Sequence, residues 1–145
     1  MAAPRNVFKD RLRGQQIGLF ATLNSPALAE LLAGCGFDWV LIDTEHSPGE
    51  MGDVVAQLHA LQGQEISVIV RPAWSDMVLI KRLLDAGAQT LLIPNVQTAQ
   101  EAARSLGPMN SPSTPRTAAM VSRLLTAKGV SICTRMQICS SAVRR

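Results

Sequence analysis

Aromatic residues are nearly missing from this chain: five in 145 residues, Phe8, Phe20, Phe37, Trp39 and Trp74, with no tyrosine. None lies beyond Trp74, so the C-terminal part has no platform on which bases could stack. Cysteine is scarce and odd in number (Cys35, Cys133 and Cys139), which excludes a disulfide framework. Cys133 and Cys139 have no histidine pair near them, so a zinc site is not expected. No apolar run approaches the ~20 residues of a membrane span. The opening Met-Ala-Ala-Pro-Arg lacks the apolar stretch of a signal peptide. These absences predict a cytoplasmic protein with neither a membrane nor a nucleic-acid partner.

Acidic residues are missing from one region altogether. Residues 1–101 hold all 11 acidic side chains and 7 basic ones, a balance of −4, whereas residues 102–145 hold the other 7 basic residues and no acid, a balance of +7. The overall +3 therefore averages two unlike pieces. The basic residues of the second piece are spaced out and carry no recognisable binding motif, so a solvated segment is the reading adopted.

What is present is a repeated βα rhythm. Gln16–Thr22 reads as a strand. Ser25 and Pro26 suit the N-cap and first position of a helix, with Leu28, Leu31 and Leu32 on one face and Gly34 and Gly36 as stops. Asp38–Asp43 is a second strand, followed by a helix over Met51–Leu61 that ends at Gly63. Ile66–Val70 is a third strand, and a helix begins after Trp74-Ser75-Asp76 and closes at Asp85-Ala-Gly87. Thr90–Val96 is a fourth strand, with a helix starting at Gln97. Strands this apolar need cover on both faces, which means a parallel sheet flanked by helices. Four βα units predict an α/β fold, the first half of a (β/α)8 barrel of the TIM type. A doubly wound sheet is the alternative, but the turn after the first strand, Ala-Thr-Leu-Asn-Ser-Pro, has no glycine-rich phosphate loop. From about Ser105 prolines fall among Ser and Thr, and the pattern stops. The expected organisation is a half barrel over 1–104 and an irregular, basic, poorly ordered tail over 105–145, with Val121–Leu125 and Val130–Ile132 as short apolar runs.

Chemistry gathers at the C-terminal ends of strands in such folds. The second strand ends in Asp43-Thr-Glu45-His46, and the third in Arg71-Pro-Ala-Trp74. A base candidate and a fixed cation, placed alike on successive strands, suit an acidic substrate. Each also has a plainer reading. His46 fits a solvated loop histidine, Arg71 a structural ion-pair partner, Asp85 a helix end, Glu45 a structural carboxylate, and Trp74 packing. His59 falls on a helix and reads as exposed.

The series Gly-Leu-Phe (18–20), Ala29 through Trp39-Val-Leu-Ile-Asp-Thr-Glu-His46, Val70-Arg-Pro-Ala-Trp74 and Leu84-Asp-Ala-Gly-Ala-Gln-Thr-Leu-Leu-Ile-Pro94 closely resembles the metal-dependent (class II) pyruvate aldolases. The 4-hydroxy-2-oxoheptanedioate aldolases are the nearest subgroup and the 2-dehydro-3-deoxyglucarate aldolases are relatives. The resemblance runs over residues 8–104. It implies a carbon–carbon lyase that cleaves a 4-hydroxy-2-keto acid to pyruvate and an aldehyde. It also implies a divalent cation, Mg²⁺ or Mn²⁺, a small 2-keto acid as substrate, and a homo-oligomer for the full-length member. By the same resemblance His46 is the general acid/base and Arg71 binds the substrate and stabilises the enolate, while Asp43 and Asp85 orient His46 and bound water. These residue types suit the reaction. A base that titrates near neutrality takes the 4-hydroxyl proton, and an oriented guanidinium meets charge as it develops on the keto oxygen.

The resemblance stops where the metal ligands should come. The family's ligands are a Glu and an Asp at the ends of the fifth and sixth strands, whereas this chain has no acid after Glu101, and Arg135-Met-Gln-Ile-Cys139 carries no Glu. No metal ligand is assigned. The abrupt change predicts a truncated or frameshifted reading after about residue 104. Read from the third base of each codon, Thr114–Ser122 admits a Pro-Pro-x-Gly loop like the family's. The alternative function is a catalytically inactive barrel fragment.

Overall fold

The computed structural model describes residues 6–11, 14–106, 118–122 and 136–139. Trp39-Val-Leu-Ile-Asp43 shows why the sheet forms. Its apolar residues alternate between two faces, and Val40, Leu41 and Ile42 are all fully buried, so both faces are covered. The strand, β2 (Trp39–Asp43), lies between β1 (Gly18–Ala21) and β3 (Ser67–Arg71), and β4 (Thr90–Ile93) follows, all parallel. Gly18 sits opposite Trp39, where a Cβ would collide with the indole ring.

Helices α2 (Pro26–Ala33), α3 (Met51–Ala60), α4 (Met77–Asp85) and α5 (Ala99–Leu106) follow the four strands in turn. Their starts carry the expected chemistry. The Ser25 hydroxyl accepts from the Leu28 N–H at 3.3 Å with Pro26 beside it. Asp76 accepts from the Leu79 N–H at 2.8 Å. Such caps contribute about 1 kcal/mol each. At α3 Asp53 reaches back to accept the Glu50 N–H at 2.9 Å.

The two faces of the sheet are packed differently. Ala21, Val40, Ile42, Val70, Leu91 and Ile93 meet Ala29, Val54, Ile80 and Leu83 of the helices in the main core. The other face carries Leu41, Ile69 and Leu92, closed by Phe8 from a short helix, α1 (Val7–Arg11), that periodicity did not reveal. The same face carries Asp43 and Arg71, by the two-residue strand period. Each fully buried aliphatic side chain contributes about 1.5–3 kcal/mol.

Four βα units in a parallel α/β sheet match the expected fold. The fourth strand is shorter than Thr90–Val96, because Pro94 cannot donate to a ladder and Asn95 turns into the left-handed region at φ 55°. Two stretches of the segment read as irregular nonetheless carry strands. Strand β5 (Ala118–Ser122) pairs parallel with β4, and β6 (Met136–Cys139) pairs antiparallel with β5. Backbone groups alone make these ladders, and the open edge of β4 demands a partner, so no binary pattern was needed. Val130–Ile132, Cys133 and residues 114–117 of the Pro-Pro-like stretch lie outside the described residues.

Candidate active site

Parallel pairing in register sets Asp43 directly beside Arg71 at the C-terminal ends of β2 and β3. The carboxylate takes the guanidinium in two bonds. Arg71 Nε donates to Asp43 Oδ1 at 2.8 Å, and Nη2 donates to Oδ2 at 2.6 Å. Asp43 is 1% exposed and Arg71 13%, so this is a buried, bidentate pair of the strong kind. The Asp43 Oδ1 atom also accepts the backbone N–H groups of Glu45 (3.0 Å) and His46 (3.4 Å). Burial alone would raise the Asp43 pKa. The hydrogen bonds and charge of Arg71 and the two backbone donors outweigh it, and hold the carboxyl below its ordinary value of 3.8.

Glu45, read from the sequence as merely structural, joins the cluster. Its side chain is 7% exposed, and Oε2 lies 2.9 Å from Arg71 Nη1. That oxygen makes an ion-pair contact but accepts no hydrogen bond among the described residues. Oε1 accepts from Asn95 Nδ2 at 3.3 Å. The Phe20 ring packs against the guanidinium, 5.3 Å from Arg71 Cζ to the ring centroid, a cation–π distance. Arg71 is thus held in its plane by Asp43, approached by the Glu45 carboxylate and packed on an aromatic face.

His46 stands beside this cluster, and its side chain is 65% exposed. The Nε2 atom lies 3.7 Å from Glu45 Oε2, an approach longer than a hydrogen bond. The imidazole is therefore open to a substrate and adjacent to the guanidinium's second carboxylate. Asp43 meets His46 through the backbone N–H, not through the ring.

Three expectations are changed by the structure. Asp85 is not brought to the others within the chain. It is the exposed last residue of α4, and each helix runs back against its strand, so helix ends and strand ends fall on opposite rims. Glu45 and Asn95 are the residues missed. The spacing Asp43-x-Glu45 at a strand end is the signal that pointed to Glu45, whereas Asn95 had none until β4 was placed. Trp74 is not buried among the described residues. It is 61% exposed and lines a cavity of about 340 Å³ with Met77, Asn95 and Arg104. His59 is exposed, as expected.

Among the described residues no three His, Cys, Asp or Glu side chains come together as a metal-binding group. Asp43 is fully engaged by Arg71 and two backbone donors. The described residues do not fit a divalent ion, and no step below runs through one.

A buried carboxylate–guanidinium pair with an open imidazole lies at the strand ends of an α/β half barrel, on the rim where such folds gather their chemistry. The chain belongs to the HpcH/HpaI aldolase/citrate lyase family, whose model matches residues 16–130. It is 50% identical over 114 residues to a hydroxypyruvate/pyruvate aldolase of Sagittula stellata, covering 77% of this chain and 45% of that protein. It is equally identical over 110 residues to a 4-hydroxy-2-oxo-heptane-1,7-dioate aldolase of Salmonella dublin, covering 74% and 42%. The crystal structure of an HpcH/HpaI aldolase/citrate lyase family protein from Burkholderia cenocepacia superposes with a TM-score of 0.68 at 38% identity, covering 77% and 46%. The chain spans just under half the length of these relatives. The family match reaches past Arg104, where the legible motifs end, and takes in β5.

Proposed function

We propose that this chain carries the acid/base and enolate-binding part of a pyruvate aldolase, with residues 1–104 as the N-terminal half of its barrel and 105–145 as a basic tail. The reaction is cleavage of a 4-hydroxy-2-keto acid to pyruvate and an aldehyde. The observation that carries this reading is the juxtaposition of a doubly anchored Arg71 with an exposed His46 on one rim. The printed names of the relatives supply the substrate class.

Each step has an owner among the side chains. Arg71 binds the 2-keto acid and points its charge at the keto oxygen. His46 removes the 4-hydroxyl proton. The electron pair of that O–H bond becomes the aldehyde C=O, the C3–C4 bond breaks, and its electrons move to the keto oxygen as an enolate beside Arg71. Protonation at C3 then releases pyruvate. Asp43 keeps the guanidinium in plane, so it needs no reorganisation as charge develops. Mg²⁺ or Mn²⁺ is what the resemblance implies for the whole enzyme, but the family's Glu and Asp ligands have no counterpart in this sequence, which carries no acid after Glu101. A homo-oligomer and a cytoplasmic setting belong to the same reading. No described helix is long and apolar enough to cross a membrane.

The test is direct. The purified chain, with Mg²⁺ or Mn²⁺, is given 4-hydroxy-2-oxoheptanedioate, and pyruvate is followed through lactate dehydrogenase. Turnover that disappears in His46→Ala is the expected result. Absence of pyruvate at every metal concentration would leave the inactive-fragment reading standing.

A further inference from the structure

Two non-glycine residues among those described have left-handed backbone, Asn24 at φ 50° and Asn95 at φ 55°. One follows β1 and the other β4, so they flank β2 and β3 on the same rim. Asparagine tolerates this region better than most residues, and the φ values alone ask only for a turn. Their side chains, however, converge on one target, the loop between β2 and α3 that holds Glu45 and His46. Asn24 Oδ1 lies 3.2 Å from Ser47 Oγ, whose single O–H is shared with the Asp43 carbonyl. Asn24 packs so closely here that a Cβ at Gly49 would collide with its amide. From the other side Asn95 Nδ2 donates to Glu45 Oε1 at 3.3 Å.

We propose that Asn24 and Asn95 are positioning residues, a pair of left-handed asparagines that clamp the loop Asp43–Gly49 from both sides and so set Glu45 and His46 against Arg71. The loop has need of a clamp. Residues 44–50 form no helix or strand, and His46, 65% exposed, is not fixed by packing. A group that must sit within a fraction of an ångström of its working place needs support from rigid elements, and β1 and β4 are the rigid elements here. The two contacts differ in sense. Asn24 supplies an acceptor to a hydroxyl, whereas Asn95 supplies a donor to a carboxylate. The consequence for turnover rests on the aldolase reading, but the clamp itself does not.

That difference gives the test. Glycine at either position keeps the left-handed backbone and removes the amide. Asn24→Gly and Asn95→Gly should each speed amide hydrogen exchange of Glu45 and His46 about tenfold, the size of one net hydrogen bond. Exchange at Val40 and Val70 in the neighbouring strands should stay unchanged, which also shows that the fold is intact. In the cleavage assay kcat should fall about tenfold with KM within about twofold, since a misplaced base slows the step without weakening binding. Aspartate separates the roles. Asn24→Asp keeps an acceptor for Ser47 and should rescue both readouts. Asn95→Asp sets a carboxylate against Glu45 and should be at least as damaging as glycine. If the two glycine variants leave exchange at Glu45 and His46 unchanged, the asparagines are turn residues and the proposal fails. If aspartate behaves alike at both positions, the assigned contacts are wrong. If the exchange pattern holds but wild-type protein makes no pyruvate, the clamp stands and the aldolase reading falls.

Discussion

The two ends of the same four strands are built on opposite principles. At the C-terminal rim Asp43, Glu45 and Arg71 form a buried charged cluster with His46 open beside it. At the N-terminal rim the buried polar groups are neutral. Asn6 Nδ2 donates to the Gln89 carbonyl at 2.9 Å and to Thr90 Oγ1 at 3.1 Å. The larger cavity, about 670 Å³ and lined by Asn6, Phe8, Ser67 and Thr90 with Arg11 and Glu65, lies at this end. The cavity that adjoins the charged rim through Asn95 is about half that size. Volume alone would send the search for chemistry to the wrong end. Charge held in a fixed geometry is what marks the C-terminal rim as the candidate site, because catalysis needs groups aimed at a reacting atom more than it needs room.

The largest effect expected from breaking this contrast is at Asp43. Asp43→Asn leaves the Arg71 charge without its bidentate partner in a buried place. The cost should be about 3 kcal/mol, the lower end for a broken buried pair, because Glu45 still faces the guanidinium. Urea unfolding of the two proteins measures it, and a loss below about 1 kcal/mol would show that Glu45 holds Arg71 unaided.

Next comes Arg71→Lys. The charge is kept, but the planar fork is lost, and a missing oriented donor costs about 10²–10³ in rate. The fall should appear in kcat, and also in deuterium exchange at the pyruvate methyl group, which needs no aldehyde. Near-normal methyl exchange would make Arg71 a structural residue.

Asn6→Ala tests the other end. It should destabilise by about 1–3 kcal/mol, because the Thr90 hydroxyl and Gln89 carbonyl lose a buried partner. Methyl exchange per folded molecule should not change. A parallel loss of exchange would mean that the two rims are coupled.

Acid gives a smaller, graded effect. Asp43 has its pKa lowered by folding, so its contribution to stability is fully present above the ordinary value of 3.8 and drains away as pH falls towards the lower folded value. Stability of the wild-type chain should therefore drop below about pH 4, and that limb should flatten in Asp43→Asn. An unchanged limb in the variant would assign the acid sensitivity to other carboxylates.

The smallest effect is expected at Asp85. As an exposed helix end it should tolerate alanine within about 0.5 kcal/mol, read by thermal unfolding. A larger loss would mean that α4 depends on it.

Much of this was legible before the strands were placed. The βα rhythm, the cap at Ser25, the helix start near Asp76, and the gathering of Asp43, His46 and Arg71 at strand ends all follow from local pattern, because strand period and cap chemistry are short-range. Helix α1 escaped because five residues are too few for periodicity. The strands β5 and β6 escaped because edge pairing uses backbone groups that every residue carries. Asp85 was drawn to the site by resemblance, and the direction of α4 sends it to the other rim.

The sequence by itself determined the class of fold, the rim on which the charged cluster sits, and the types of side chain that form it. Apolar spacing decides which faces must be covered, and a covered parallel sheet puts every strand end on one side. Only the tertiary structure decided the partners. Register set Asp43 beside Arg71, the turn after β4 aimed Asn95 at Glu45, and the turn after β1 set Asn24 against Ser47 and Gly49. Those pairings join residues from 23 to 50 positions apart, and no local pattern specifies a distance that only the packed sheet defines.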